Sequence, residues 1–190
     1  MGLDMYLECN SRKLAQEVFD AQVSAGYESA DSFHRSNGII CYWRKANAIH
    51  SWFVGNVQGG CDDCKSYRVE PEQLVELLET CRKVRASVEL VPGKVDAGYV
   101  FSEDGGVKRE FRDGCVVADP SVAEELLPTC SGFFFGDTAY DEYYVEDLDK
   151  TIFVLDAILS RIQPGGRFGW DHVLPSEPDW CVKFSYQSSW

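Results

Sequence analysis

Histidine is scarce in this chain, with three in 190 residues, and cations are outnumbered by acids, 18 against 31. With only His34, His50 and His172 available, a multi-histidine metal centre is not expected. A formal charge of −13 disfavours direct nucleic-acid binding, which relies on cations neutralising phosphates. No apolar run approaches the roughly 18 residues a membrane span needs. The chain contains no Gly-x-Gly-x-x-Gly, no P-loop and no Gly-x-Ser-x-Gly, so the standard nucleotide folds and the serine hydrolases find no support. The stretch Met1 to Glu8 has no basic region and carries Asp4 among its apolar residues, so it predicts no signal peptide, and Tyr6 occupies the place of a myristoylation hydroxyl. A cytosolic location in the host is expected, with no membrane partner.

What is present is enough apolar material, 45% of residues, to fold one domain with a substantial core. Eight cysteines without an export signal are expected as thiols. Cys9, Cys41, Cys81, Cys115, Cys130 and Cys181 stand singly among apolar residues and are read as small core hydrophobes. Cys61-Asp62-Asp63-Cys64 is the one Cys-x-x-Cys. It lacks the second pair of a zinc site and the preceding strand of a redox motif, and reads first as a polar loop.

The hydrophobic pattern interleaves strands and helices. Gly2 to Cys9 alternates as a half-buried strand, and Ser11 to Ser24 reads as a helix. Gly38 to Tyr42 is a short strand expected to feed a helix over Trp43–Val57. Leu74, Leu77, Leu78 and Cys81 mark a helix opened by Glu70-Pro71. Ser87 to Asp119 changes to β-like runs with turn signals, and Val107–Val117 is expected to form a hairpin arm with the strand before it. Ser121 to Leu127 is a short helix stopped by Pro128, and Ser131–Gly136 reads as a buried strand. Val145, Leu148, Ile152, Leu155, Ile158, Leu159 and Ile162 trace the longest helix. Strands over Gly169–Leu174 and Cys181–Tyr186 complete the chain. The expectation is α+β: one domain over 1–190, a mixed or antiparallel sheet with four to five helices packed on it, and 87–119 as a hairpin insertion.

Tyr42 to Val54 concentrates the chemistry. Placed at about 100° per residue, Trp43, Asn47, His50 and Val54 share one stripe, a polar-aromatic face with few acids in an acidic chain. Arg44 and Lys45 suit phosphate oxygens, and an indole suits a base; equally, Arg44 can pair with a carboxylate while the tryptophans fill the core. His50 has three readings: a general base oriented by Asp62, Asp63 or Asp141, a hydrogen-bond donor to an anion, or a satisfied buried histidine. Ser131 and Tyr140 flank the phenylalanine run. The acids of Glu70–Glu79 and Asp141–Asp149 fall along helices, which favours a solvated face over a nucleic-acid mimic.

The opening Met1-Gly2-Leu3-Asp4-Met5-Tyr6-Leu7, the Tyr42–Val54 segment continuing to Asn56-Val57-Gln58 and Asp62-Asp63-Cys64, the run from Leu126-Leu127-Pro128-Thr129 to Gly136, and the ending Tyr186-Gln187-Ser188-Ser189-Trp190 together resemble a family of small proteins carried by bacteriophages and prophages. The resemblance implies a virus-linked setting in the host cytosol, names no activity, and draws Trp190 into the candidate set.

The leading expectation is a phage accessory or counter-defence protein, read as a binding protein more than as an enzyme, that needs no cofactor or metal. It binds a small phosphorylated, nucleotide-like ligand through Trp43, Arg44, Asn47 and His50, with Ser131, Tyr140 and Trp190 as a second wall. The alternative is an acidic inhibitor of a host defence protein, a nuclease or CRISPR effector. Third comes a hydrolase using His50 with a carboxylate.

Overall fold

The computed structural model describes residues 2–32, 38–101, 106–162 and 182–190. Alternation produces the first strand, β1 (Asp4–Cys9), whose Met5, Leu7 and Cys9 are buried while Asp4, Tyr6 and Glu8 are half-exposed. Helix α1 (Arg12–Ala25) follows, started by Ser11, whose hydroxyl accepts the Leu14 N–H, and ended by Gly26 in the left-handed region that C-caps favour. Strand β2 (Ile39–Arg44), helix α2 (Asn47–Asn56) and the short β3 (Tyr67–Val69) come next. Helix α3 (Pro71–Ser87) opens with a capping box between Glu70 and Gln73. Then come β4 (Leu90–Phe101), β5 (Val107–Val117), α4 (Ser121–Leu126), α5 (Glu142–Ile162) and β6 (Phe184–Ser189).

Two antiparallel sheets result: a four-stranded one in the order β2-β1-β6-β3, and the β4–β5 hairpin. With five helices against these strands, the protein is an α+β domain. One face of the large sheet carries Leu3, Met5, Leu7, Trp43, Phe184 and Tyr186, all essentially inaccessible to water. The apolar stripe of α5, from Val145 through Leu155 to Ile162, completes the same core with Leu74, Leu77 and Cys81 of α3.

The hairpin is an arm standing away from that core. Most of its residues are exposed, Tyr99 at 70%. Its base is fixed by close approach: Gly93 pairs with Gly114, and a Cβ on Gly114 would lie 2.7 Å from Val95 Cγ2 and 2.9 Å from Glu142 Oε2. Glu142, first residue of α5, accepts the Cys115 N–H at 2.7 Å and pairs with Arg112 at 2.6 Å.

Four sequence expectations are corrected. No helix runs over Trp43–Val57: the chain stays extended through Arg44, turns at Lys45 with φ of 62°, and becomes helical only at Asn47. Alternation across the strand puts Trp43 inward and Arg44 outward. Ser131–Gly136 is not a buried strand. It is a turn in which Phe133 is 95% exposed, tied to the sheet by Leu3 N–H donating to the Phe134 carbonyl at 3.0 Å. Cys115 and Cys130 are half-exposed rather than core, because the arm and that turn carry them. Strand β6 begins at Phe184 rather than Cys181; Cys181 itself, Gly169–Leu174, His34 and His172 lie outside the described residues. Among the described residues, no helix is long and apolar enough to cross a membrane.

Candidate functional site

A cleft of about 620 Å³ opens where the arm faces the start of α5 and the turn from β2 into α2, within the roughly 300–1,000 Å³ of small-molecule sites. Its cationic end is built by that turn. Lys45 is held in its left-handed conformation by its N–H donating to Leu3 O at 2.8 Å and its carbonyl accepting the Asn47 N–H at 2.8 Å. Its side chain is exposed and lines the cleft, where its charge also helps hold down the Asp96 carboxyl. Arg44 is 56% exposed, stands 3.8 Å from Asp4 and also meets the Tyr42 hydroxyl. Asn47 and Ala48, the first residues of an α2 whose N-cap Ala46 offers no side-chain acceptor, line the cleft beside them; uncapped N–H groups there favour an anion.

The lining is also acidic, and most of its acids are already used. Arg109 reaches both Asp96 at 2.7 Å and Asp137 at 2.9 Å, and holds the Asp96 carboxyl below its ordinary range, helped by the Gly98 N–H. Asp141 caps α5, accepting the Tyr143 and Tyr144 N–H groups; burial still pushes its carboxyl up. Asp147 is different. It is partly buried, no donor reaches its carboxylate among the described residues, and burial pushes its pKa up to about 7. Tyr143, 46% exposed, adds an aromatic ring, its hydroxyl held by Arg112.

A second polar cluster lies behind the cleft. His50, 1% exposed, has Nδ1 at 2.8 Å from the Tyr186 hydroxyl and Nε2 at 3.0 Å from Asp62 Oδ2. Burial holds the Tyr186 hydroxyl well above its ordinary pKa, so it keeps its proton and can donate to Nδ1. Nε2–H then donates to Asp62, whose other oxygen accepts Trp190 Nε1–H at 3.2 Å. Phe135 packs edge-on against both His50 and Trp190. Cys130 donates its thiol to the Asn47 carbonyl at 3.3 Å, and burial raises its pKa, the opposite of an activated nucleophile.

The seven sequence candidates therefore separate. Arg44 and Asn47 line the cleft. Asn47 also clasps the 130–137 turn, donating to the Phe135 and Asp137 carbonyls and accepting the Cys130 N–H. His50 and Trp190 meet through Asp62, outside the cleft lining. Trp43 is buried against α5, its Nε1–H donating to Thr151 at 2.9 Å, and presents no face to a ligand. Tyr140 accepts the Thr129 N–H and packs on Tyr144, and Ser131 lies on the exposed turn. Cys61 and Cys64 sit in the loop before β3, and among the described residues no group of His, Cys, Asp and Glu is arranged to hold a metal. Sequence reading missed Asp147 as a site residue and left Lys45 out of the chosen set. A signal for Asp147 existed: it lies three residues after Tyr144 and four before Thr151, along the otherwise apolar stripe of α5. No protein-family model, curated protein or solved structure matches the chain; function has to be read from the chemistry of the cleft.

Proposed function

We propose that the protein binds a small phosphorylated, nucleotide-like ligand in the cleft between arm and body, without chemical turnover. The observation that carries this reading is that Lys45 and Arg44 line a cleft of suitable size, close to the uncapped start of α2, together with hydrogen-bonding acids and Tyr143. Two cations suit one phosphate. A triphosphate would meet the field of a chain with net charge −13. In the virus-linked setting that the resemblance implies, such a protein would capture a host nucleotide as an accessory or counter-defence function. Native mass spectrometry at low salt tests this: a small co-purifying mass is expected, and it should be lost in Arg44→Ala and Lys45→Ala. A bare spectrum, with no thermal shift by any mononucleotide, would refute it.

A second reading, inhibition of a host defence protein, is favoured by Glu72, Glu76 and Glu79, which stand exposed along the outer face of α3. Asp149 and Asp156 of α5 contribute less, since Arg85 and Arg82 pair with them. This reading predicts a complex that weakens steeply with salt, is abolished by charge reversal at the three glutamates, and is indifferent to Arg44→Ala.

A further inference from the structure

We propose that the outer edge of β5 is a dimerisation surface, taken by β5 of a second copy of this chain in antiparallel register about Phe111. The arm is a two-stranded sheet, so along most of its length each strand keeps an outer edge that no other strand pairs among the described residues. Such edges recruit a further strand unless something blunts them, and a hairpin without a third strand is marginal. The edge of β4 is blunted: Pro92 has no N–H to offer, and the register shifts between Asp96 and Gly98, leaving Ala97 as a bulge. β5 has neither device. Every residue from Val107 to Asp113 is exposed, and Phe111 remains 53% exposed although Arg109 lies over its ring.

The root of the arm fixes which groups point outward. The Cys115 N–H reaches Glu142 and the Val117 N–H reaches the Tyr140 carbonyl, both away from β4. Alternation along the strand then turns the N–H and C=O groups of Arg109, Phe111 and Asp113 outward as well. A second β5 can meet them only in registers that set odd-numbered residues against odd-numbered ones. Charge selects among these. A two-fold axis at Arg109, Glu110, Arg112 or Asp113 sets that residue against its own copy, which is unfavourable. An axis at Phe111 sets the two phenylalanines together, Glu110 opposite Arg112 and Arg109 opposite Asp113, each pair occurring twice by symmetry. Lys108 then falls opposite Gly114. Val107 falls opposite Cys115, where Glu142 already holds the N–H and the ladder ends. Arg109, Arg112 and Asp113 also meet charges of their own chain, so the register is chosen chiefly by the like-charge contacts it avoids. Arg112 Nη1 donates to the Asp113 carbonyl at 3.0 Å, and that oxygen keeps a second lone pair for the incoming Arg109 N–H.

Sedimentation equilibrium of the full chain from about 1 to about 500 µM at physiological salt tests this, with a dimer of Kd about 10–100 µM expected for so small an interface. Phe111→Asp should be monomeric throughout, and its melting curve verifies that it folds. Glu110→Lys faces Arg112 of the second copy and should weaken the dimer by about tenfold or more. That sign is informative, because the substitution lowers the net negative charge and would otherwise favour association. Lys108→Glu, opposite Gly114, should change Kd by less than about threefold. A wild-type chain that stays monomeric overturns the proposal and leaves a strand of another protein as the occupant of the edge. A dimer that survives Phe111→Asp, or that Glu110→Lys leaves equal or tighter, overturns it by placing the contact elsewhere. A Lys108→Glu effect as large as that of Glu110→Lys overturns the register.

Discussion

His50 Nε2 stands 3.0 Å from Asp62 Oδ2, and this single bond ties the second helix of the chain to the loop that precedes β3. Because Asp62 also accepts Trp190 Nε1–H, the same carboxylate fastens the residue after β6 to that loop. Both ring nitrogens face protein partners, which makes His50 a brace for the wall behind the cleft.

The first prediction follows from that brace. His50→Ala leaves the Tyr186 hydroxyl buried without its partner and opens a void, at a cost of about 2–4 kcal/mol. Urea denaturation at neutral pH should show the loss. Mononucleotide affinity, measured where the variant is folded, should change less than about twofold; a larger fall would place the imidazole within reach of the ligand.

Lys45 gives a prediction of opposite sign for stability and binding. A non-glycine residue at φ 62° carries strain of about 1 kcal/mol, which glycine relieves. Lys45→Gly should therefore leave stability unchanged or raise it by up to about 1 kcal/mol. It should weaken phosphate and mononucleotide binding by about ten- to 100-fold, the worth of one charge-assisted contact. Equal affinity in the variant would remove Lys45 from the site.

The raised pKa of Asp147 fixes a pH dependence. With a folded-state value of about 7 and an unfolded value of about 3.9, the native state holds its proton more tightly than the unfolded state. Its contribution to stability is thus full below pH 4, falls as pH rises to about 7, and stays lost above that. The groups acting on this carboxyl are Lys150 and Glu146 on its own helix and Asp141 at its cap; Arg44, Lys45, Asp96, Arg112 and Asp137 line the same cleft from the other elements. Asp147→Asn should match wild type in melting temperature near pH 4.5 and exceed it at pH 8. A constant difference across that range would refute the account.

Glu142 holds the base of the arm through Arg112 and the Cys115 N–H, and removing that contact has a measurable consequence. Glu142→Gln should speed amide exchange across residues 107–117 and leave α3 and the body of α5 protected. Gly114→Ala places a methyl group against Val95 and Glu142 and should cost about 1–3 kcal/mol.

Long patterns were legible in the sequence, and short ones were not. The stripe of α5 repeats over six turns and the alternation of β1 over six residues, so both elements are where periodicity places them. The hairpin announced itself by turn residues between β-like runs. The segment from Tyr42 to Val54 defeated the same logic because its break is a lysine, not a glycine, in the left-handed region. Once Trp43 lies on a strand, it and Arg44 point to opposite faces, and no single wall can hold both. The apolar run at Phe133–Phe135 has the composition of a strand, but only one backbone bond joins it to the sheet, so Phe133 is left in water. Arg44 and Asn47 were placed at the cleft for the wrong helical reason, and Asp147, marked in the sequence only as an acid on the stripe of α5, takes its place in the cleft lining from the fold.

The two roots of the arm, Leu90 and Val117, are partners in its ladder. The chain therefore leaves the body and returns to it at one place, and the part of the arm beyond its Gly93–Gly114 base can be exchanged without rerouting α3 or α4. Asp96, Ala97, Gly98 and Arg112, which line the cleft from the arm, travel with that exchangeable part, while Lys45 and Asp147 remain with the body. Under the proposed function, that outer part of the arm is where new side chains would meet a different ligand while most of the hydrophobic interior stays as it is.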